Sequence, residues 1–400
     1  MFKKTVLLLA ASASIFATAA QASDGVAEIN HTCATATGCF PGDVPGYPVT
    51  IGSNSPTSFR LTGNLLLPNE NTDGIRVAAT ENGVSIDLGG FTIAGPTRCS
   101  QNATTKETTC NRQGGGRGIY AATGSSAGVT VRNGSIYGMG NAGINIVRRG
   151  ALVQDVRVTD CGGEGVILVD GSIVERVSVE DVRLFGIRVG SNGLIRNSTV
   201  RSAREGISIG NAGRVEGSTS SNNFFSGFNG GESSSFVGNT SEFNAQHGIR
   251  TPGDGGLVKN NTINGNAFDG INAGALAMIE SNSIRNSGDR GIQTGSGGII
   301  SGNTVSGSAS DGIYATDGTV VRGNSVFENG TDAQDDGIHC TLGCMAQANT
   351  LRANAGYGLR FDTGSSVYTQ NAIGANNLAG TVVNGRDGGS NVCGTMLNCP

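Results

Sequence analysis

Ionisable residues of complementary types cluster around Gly337. Asp336 and His339 flank this glycine, and Asp311 and Arg360 lie about one repeat before and after it. Two carboxyl groups about 5 Å apart are the catalytic pair of a retaining glycoside hydrolase, so Asp311 and Asp336 are one candidate pair. A polysaccharide lyase would instead use His339 or Arg360 to take a proton from the carbon beside a uronate carboxylate. These four residues are the candidate catalytic residues.

A polar insertion immediately before Gly337 carries two further acids, Asp332 and Asp335. Carboxylate oxygens are the ligands that calcium prefers, so we predict these two acids as candidate calcium ligands. The candidate substrate-binding residues are aromatic or basic: Tyr314, Tyr357, His247 and Arg250. The alternative for the insertion is a solvated acidic loop beside an exposed histidine. His247 and Arg250 form a second patch with Asp269 and Arg290, and the alternative for this patch is a row of weak surface ion pairs.

Glycine recurs along the chain at nearly fixed steps, mostly followed by an aliphatic residue. Thirteen such glycines are separated by 20 to 25 residues, most often by 21: Gly118, Gly143, Gly165, Gly186, Gly206, Gly227, Gly248, Gly270, Gly291, Gly312, Gly337, Gly358 and Gly380. Repeats of this length are typical of solenoids, in which each unit buries its apolar face only against its neighbours. The step into Gly337 is 25 residues, so the acidic insertion breaks the repeat.

Each repeat carries the signature of short strands and tight corners. Gly-Ile-x-apolar segments such as Gly143–Ile146 alternate with period two, which predicts a strand with one buried face. We expect the residue before each glycine, and the residue two after it, to point outward. A second track begins with asparagine, which we expect to stack along one corner and to hydrogen-bond from coil to coil. Its members are Asn197, Asn261, Asn282, Asn303, Asn324, Asn349 and Asn371, with one interruption at Gly217.

The segment from Val84 to Gly95 resembles the first-coil motif of bacterial right-handed β-helix repeat proteins of the pectin-lyase-like superfamily. The glycine and asparagine tracks resemble the repeat of that superfamily from about Gly118 to Asn384. The predicted fold class is therefore all-β, a right-handed parallel β-helix with coils of about 21 residues and a cap at each end. The resemblance implies relatives that bind polysaccharides along a strand face. The Asp-Pro-His-Asp signature of alginate epimerases is absent from the sequence.

The first residues predict export. A basic start, an apolar stretch and the Ala20-Gln21-Ala22 site are typical of a signal peptide cleaved after Ala22, so we expect a secreted or periplasmic protein. Without Lys3 and Lys4, 25 basic and 31 acidic residues remain, a net charge of −6 with no basic block. This balance argues against nucleic acid as a partner, and we expect no membrane-spanning segment after the signal peptide.

Eight of the nine cysteines form close pairs in the sequence. In an exported protein this spacing predicts local disulfides between Cys33 and Cys39, Cys99 and Cys110, Cys340 and Cys344, and Cys393 and Cys399. A metal site is the alternative at Cys340 and Cys344, because His339 is adjacent. Cys161 stands alone, and we expect it to be a buried small apolar residue.

The domain prediction is a signal peptide over 1–22, an N-terminal cap over 23–80, the β-helix over 81–385 and a disulfide-closed cap over 386–400. The two caps would blunt the strand edges, so we expect a monomer. The leading functional hypothesis is an exported protein acting on a polysaccharide of unknown identity by lyase or hydrolase chemistry. The alternative is a non-catalytic protein that binds carbohydrate or has a structural role at the cell surface or in the periplasm.

Overall fold

The chain is described from a computed structural model, which covers residues 25–53, 55–79, 81, 83–123, 128–374, 380–394 and 399. The predicted signal peptide lies outside the described residues. Almost all regular structure is β-strand, and the described part has one π-helical turn, Cys33–Thr37. No helix in these ranges is long and apolar enough to cross a membrane.

Short strands stack in parallel and in register into a solenoid. One sheet has 15 strands, one from each coil, and we call it the first sheet. Its strands are Val49–Ile51, Ile75–Val77, Ile119–Ala121, Ile144–Ile146, Val166–Leu168, Phe185–Val189, Glu205–Ile209, Phe228–Gly230, Ile249–Thr251, Ile271–Ala273, Ile292–Thr294, Ile313–Ala315, Ile338–Cys340, Tyr357–Phe361 and Gly380–Val383. The Gly-Ile segments therefore form this sheet, which confirms the predicted parallel β-solenoid.

The other strands belong to a second, 29-stranded sheet, to which most coils contribute two strands. Its strands are Ala27–Ile29, Ser58–Leu61, Leu65–Leu66, Ser85–Asp87, Thr92–Ala94, Thr130–Tyr137, Leu152–Cys161, Ile173–Glu175, Ser178–Val182, Leu194–Arg196, Thr199–Arg201, Arg214–Glu216, Thr219–Ser221, Ser235–Val237, Thr240–Glu242, Leu257–Lys259, Thr262–Asn264, Met278–Glu280, Ser283–Arg285, Ile299–Ser301, Thr304–Ser306, Val320–Arg322, Ser325–Phe327, Met345–Gln347, Thr350–Arg352, Val367–Thr369, Ala372–Ile373, Arg386–Asp387 and Val392–Cys393. Parallel pairing thus begins at Ala27–Ile29 and reaches Val392–Cys393.

A column of aliphatic side chains fills the solenoid. Ile292, Ile313 and Ile338 are stacked neighbours in the first sheet, and each side chain is 0 % exposed. Burying one such side chain contributes about 1.5–3 kcal/mol. Glycine precedes these strands because neighbouring coils approach closely there. A Cβ atom on Gly312 would lie 2.7 Å from the carbonyl oxygen of Gly337 and would clash with Val326.

Asparagines stack along one corner, as predicted. From Asn261 to Asn391, each buried side chain of the ladder accepts the backbone N–H of the asparagine before it, at 2.8–3.0 Å. The prediction was wrong at Asn197, which adopts a left-handed turn with φ of 50°. The ladder position in that coil belongs to Ser198, whose backbone N–H donates to Ser218.

At the described positions the residue before the repeated glycine is buried or half-buried, so the prediction that it points outward was wrong for about half of the column. Six of these residues are buried: Ala142, Glu205, Ser226, Asp269, Asp311 and Asp336. The chain is still turning a corner at most of these positions, because the strand starts after the glycine. The residue two after the glycine does lie on the outer face, and Asn272, Gln293 and Tyr314 are half-buried there.

Three of the four predicted disulfides are formed: Cys33–Cys39, Cys99–Cys110 and Cys393–Cys399. Such bonds fit an extracellular or periplasmic location. The fourth prediction was wrong, because Cys340 and Cys344 are buried free thiols. The two thiols hydrogen-bond to each other, and Cys344 Sγ also lies 3.5 Å from the carbonyl oxygen of Thr316. Cys161 is buried, as predicted.

The second cysteine pair closes an antiparallel hairpin, formed by Cys99–Gln101 and Thr108–Cys110. This hairpin is an insertion between the strands Thr92–Ala94 and Ile119–Ala121. It packs on the outside of the solenoid, where Thr108 Oγ1 donates to the carbonyl oxygen of Ser202 at 2.8 Å.

Candidate functional site

Three successive strands of the first sheet position the candidate site. The strands Ile313–Ala315, Ile338–Cys340 and Tyr357–Phe361 pair in parallel, with Tyr314 opposite His339 and His339 opposite Arg360. Alternation along each strand turns the flanking apolar residues inward and these three side chains outward. The structure therefore brings together residues that are 46 positions apart in the sequence.

Asp311 and Asp336 lie at the corner that leads into this face. Asp311 Oδ1 accepts the backbone N–H of Asp336 at 2.7 Å, and Asp336 Oδ1 accepts the backbone N–H of Tyr357 at 2.7 Å. The same contact recurs elsewhere, since Asp73 accepts the backbone N–H of Arg117 at 2.9 Å. One oxygen of each carboxyl group therefore ties a coil to the next, and the second oxygen faces the candidate site.

His339 is held by carboxylates on both sides of its ring. Its Nδ1 lies 3.5 Å from Asp311 Oδ2, and its Nε2 lies 2.9 Å from Asp362 Oδ1. Tyr314 packs edge-on against the ring, with 5.0 Å between ring centroids. Burial alone would lower the pKa of His339, but the hydrogen bonds and charges of Asp311 and Asp362 outweigh it and raise the pKa. The imidazolium form is stabilised at this place.

Asp336 is the most buried acid of the group, with 0 % of its surface exposed. Burial, aided by the charge of Asp311, raises its pKa to about 7, although the Tyr357 N–H and Arg360 act in the opposite direction. Its Oδ2 has no hydrogen-bond partner among the described residues, and the Arg360 guanidinium lies 3.7 Å away. This carboxyl group therefore holds its proton to a higher pH than an exposed aspartate does.

The predicted calcium ligands, Asp332 and Asp335, accept hydrogen bonds from their own loop. Asp335 Oδ2 accepts the backbone N–H groups of Thr331 and Asp332, and Asp332 Oδ1 accepts that of Gln334. Both carboxylates therefore stabilise their own loop. In the described ranges, possible metal-ligand atoms converge at Asp311, Asp336 and His339, all within 4.8 Å of one another. Calcium takes six to eight oxygen ligands, so these three residues do not fit it, and we derive no step through calcium.

The second predicted patch lies four coils away on the same sheet. His247 Nδ1 lies 3.3 Å from Asp269 Oδ2, and the His247 ring contacts Phe268, with 5.7 Å between centroids. Arg290 connects this patch to the main cluster, because its guanidinium lies 4.4 Å above the ring of Tyr314. The positive charge of Arg250 favours the ionised form of another acid, Glu205.

Two residues of these clusters were missing from the predicted site: Asp362 and Glu205. Asp362 would have been found by extending the outward alternation from Arg360 by two residues. Glu205 is buried before its glycine like Asp311, and burial raises its pKa to about 7. Its burial was not predicted, because we expected the residue before each glycine to point outward.

Comparison with known proteins identifies the fold family. The family described as the right handed beta helix region matches residues 97–241, 147–277 and 228–378. No curated protein matches the chain.

Solved structures with similar folds share little sequence with the chain. The A-module of a mannuronan C-5 epimerase from Azotobacter vinelandii is 15% identical with a TM-score of 0.39, and the match covers 82% of this chain and 90% of that one. A periplasmic alginate epimerase is 12% identical with a TM-score of 0.41, covering 78% and 76%. The tailspike receptor binding domain of Siphovirus 9NA is 12% identical with a TM-score of 0.36, covering 84% and 74%. Because the family matches span residues 97 to 378, the chain belongs to the right-handed β-helix family.

Proposed function

We propose that the protein binds a uronate-containing polysaccharide lengthwise along the first sheet and cleaves it by β-elimination at His339. The observation that carries the proposal is the position of His339. Its ring lies on the outer face of a rigid sheet, between Asp311 and Asp362, with a tyrosine on one side and an arginine on the other. With its signal peptide removed after Ala22, the protein would act outside the cytoplasm.

Each group has a place in the elimination. The Arg360 side chain, 37% exposed, is available to neutralise the substrate carboxylate and so acidify the neighbouring C–H bond. When the substrate displaces the exposed Asp362 carboxylate, His339 loses one of the two groups that raise its pKa and releases its Nε2 proton to solvent. Nε2 of the neutral imidazole then takes the proton from the substrate C–H bond. Asp311 then stabilises the imidazolium from the other side of the ring. The carbon–oxygen bond to the leaving sugar breaks, and the leaving oxygen takes a proton from water.

The burial of the carboxyl groups favours a lyase over a retaining hydrolase. A retaining hydrolase needs one carboxylate to attack the sugar and a second to protonate the leaving oxygen. Asp336 is 0 % exposed and Asp311 is 5 % exposed, so neither reaches a sugar ring on the outer face without rearrangement. We therefore assign Asp336 as a positioning residue for Arg360 and Tyr357, and we retain hydrolysis as the alternative chemistry.

A non-catalytic carbohydrate-binding or structural protein is the second candidate. It is favoured by the carboxylate-to-amide contacts, because they recur at Asp73 and Asp269, outside the His339 cluster. These acids therefore have a structural reason to be present whether or not the protein is an enzyme. This candidate predicts binding of the polymer without any product.

The test is product formation from alginate, polygalacturonate, hyaluronan and chondroitin, measured both as unsaturated uronates and as new reducing ends. Wild-type protein should form both products from at least one polymer. His339→Gln should lower the rate at least 100-fold, as expected for loss of an acid–base group. Arg322→Ala, on the opposite sheet of the same coil as Tyr314, is the matched control and should leave the rate unchanged.

The outcomes separate the candidates. Reducing ends without unsaturated uronates would replace the lyase by a hydrolase. Binding without either product would support the non-catalytic protein. Full activity in His339→Gln would show that the chemistry lies elsewhere on the molecule.

A further inference from the structure

The disulfide-closed hairpin forms a wall on the outside of the solenoid, along the corner that leads into the strands of the first sheet. Its backbone N–H at Cys99 donates to Asp160 Oδ1 at 2.7 Å, and Thr108 Oγ1 donates to the Ser202 carbonyl oxygen at 2.8 Å. Farther along, Lys106 Nζ lies 3.2 Å from the side-chain oxygen of Asn222. These anchors come from three different coils, so the hairpin lies parallel to the solenoid axis.

A cleft of about 320 Å³ lies between this wall and the sheet edge. Its volume is at the lower end of the range for small-molecule sites, about 300–1,000 Å³. The hairpin side supplies Glu107 and Thr109, and the solenoid side supplies Arg183, Arg204 and Phe224. The cleft therefore combines hydroxyl and guanidinium donors with an aromatic ring.

The two arginines lack carboxylate partners. Among the described residues neither Arg183 nor Arg204 forms a salt bridge, and the charge of Arg204 acts only at longer range on the buried Glu205. Arg183 Nε donates to the carbonyl oxygen of Gly162 at 2.8 Å, and the Arg204 guanidinium lies 4.9 Å above the ring of Phe225. Glu107 is the one acid among the residues that line the cleft, so two cations face one anion there. Charge complementarity favours an anionic ligand.

The cleft lies at the edge of the first sheet where its strands begin, and His339 lies farther along the solenoid axis on the outer face of the same sheet. Six strand pairings separate the strand Glu205–Ile209 from Ile338–Cys340. At about 4.8 Å per coil, the separation is about 29 Å. Phe268 lies on this edge between them, and 47% of its surface is exposed. A polymer that binds along the axis would contact the cleft, Phe268 and His339 in turn.

We propose that the cleft is a distal subsite for an acidic sugar of the same polymer, held through its carboxylate by Arg183 and Arg204. Guanidinium groups suit this role because they can donate two parallel hydrogen bonds to a carboxylate. The inference rests on the proposed function for the identity of the polymer. It adds a requirement on length, because a short oligomer cannot reach from His339 across about 29 Å.

The test is affinity electrophoresis of the folded protein in gels that contain polygalacturonate, alginate or neutral dextran. Arg204→Ala combined with Arg183→Gln should weaken retardation by at least one of the two anionic polymers about tenfold or more. His339→Gln should be retarded as the wild-type protein is, which separates binding from catalysis. Arg322→Ala is again the control, and dextran should retard none of the proteins.

Two further measurements test the geometry of the arginine pair and the length requirement. Arg204→Lys should recover part of the affinity, because it keeps the charge and loses the bidentate geometry. Oligomers too short to span about 29 Å should be cleaved equally by the wild-type protein and the double variant. The proposal is overturned if the double variant is retarded like the wild type, or if neither anionic polymer retards the wild type.

Discussion

Replacing Asn303 by alanine tests how much the asparagine ladder contributes to the stability of the solenoid. This side chain is 1% exposed and makes four hydrogen bonds. Its oxygen accepts the backbone N–H and the side-chain amide of Asn282, both at 2.9 Å. Its nitrogen donates to the carbonyl oxygen of Ile279 at 2.9 Å and to Asn324 Oδ1 at 3.0 Å.

The expected loss follows from this count. A buried hydrogen bond contributes about 1 kcal/mol net, and leaving its partner unsatisfied costs more. Four bonds give a loss of about 4 kcal/mol in the local free energy of unfolding. Because solenoid coils depend mainly on their neighbours, the loss should be concentrated in the coils on either side of Asn303.

Native-state hydrogen exchange with mass spectrometry measures this local free energy. Amides in the strands Ile299–Ser301 and Thr304–Ser306 should exchange roughly 500- to 1,000-fold faster in Asn303→Ala than in the wild type. Asn145→Ala is the matched control, because Asn145 lies on the outer face of the first sheet and makes no side-chain hydrogen bond to the described part of the chain. A less than tenfold difference between the two variants would refute the reasoning.

Three further predictions concern the candidate site. Burial raises the pKa of Asp336 from 3.8 to about 7, so the folded protein binds a proton that the unfolded chain releases, and stability falls as pH rises between these values. Asp336→Asn should therefore unfold at a higher urea concentration than the wild type at pH 8, with a free energy of unfolding larger by no more than about 4 kcal/mol. The two proteins should converge near pH 4, and equal midpoints at pH 8 would contradict the assignment. Asp362→Asn should lower the pKa of His339, because Asp311 and Asp362 raise it; NMR titration of the imidazole measures this, and an unchanged value would count against the contact. A thiol-reactive dye should label three cysteines in urea and none in the native protein, because all the free thiols are buried; one labelled cysteine in urea would show that Cys340 and Cys344 are joined.

The fold could be predicted from the sequence because its constraints repeat. Glycine is required wherever a Cβ atom would meet the next coil, as at Gly312, and this need recurs once per coil. The asparagine ladder was harder to place, because two adjacent positions both favour asparagine. One is the buried ladder position and the other is a left-handed turn, and Asn197 and Asn260 occupy the turn with φ of 50° and 56°. Sequence spacing alone does not separate them.

The candidate site was predicted less completely, for reasons of side-chain direction. The prediction assumed that the alternation of each strand continues before the glycine, so Asp311 and Asp336 were expected on the surface. The chain is still turning there, and both side chains are buried. The outward residues Tyr314, His339 and Arg360 were placed correctly, because they lie within strands. Asp362 was missed, although it continues the alternation of Arg360. Burial and hydrogen bonding, which set the proton affinity of Asp336, depend on contacts between coils.

The crystal structure of the His339→Gln variant with a bound uronate oligomer tests the central claim most directly. The account predicts an oligomer parallel to the solenoid axis on the first sheet, with a sugar carboxylate at Arg360 and a sugar ring beside Tyr314. An oligomer bound on the 29-stranded sheet, or one that leaves Arg360 and Tyr314 uncovered, would contradict it.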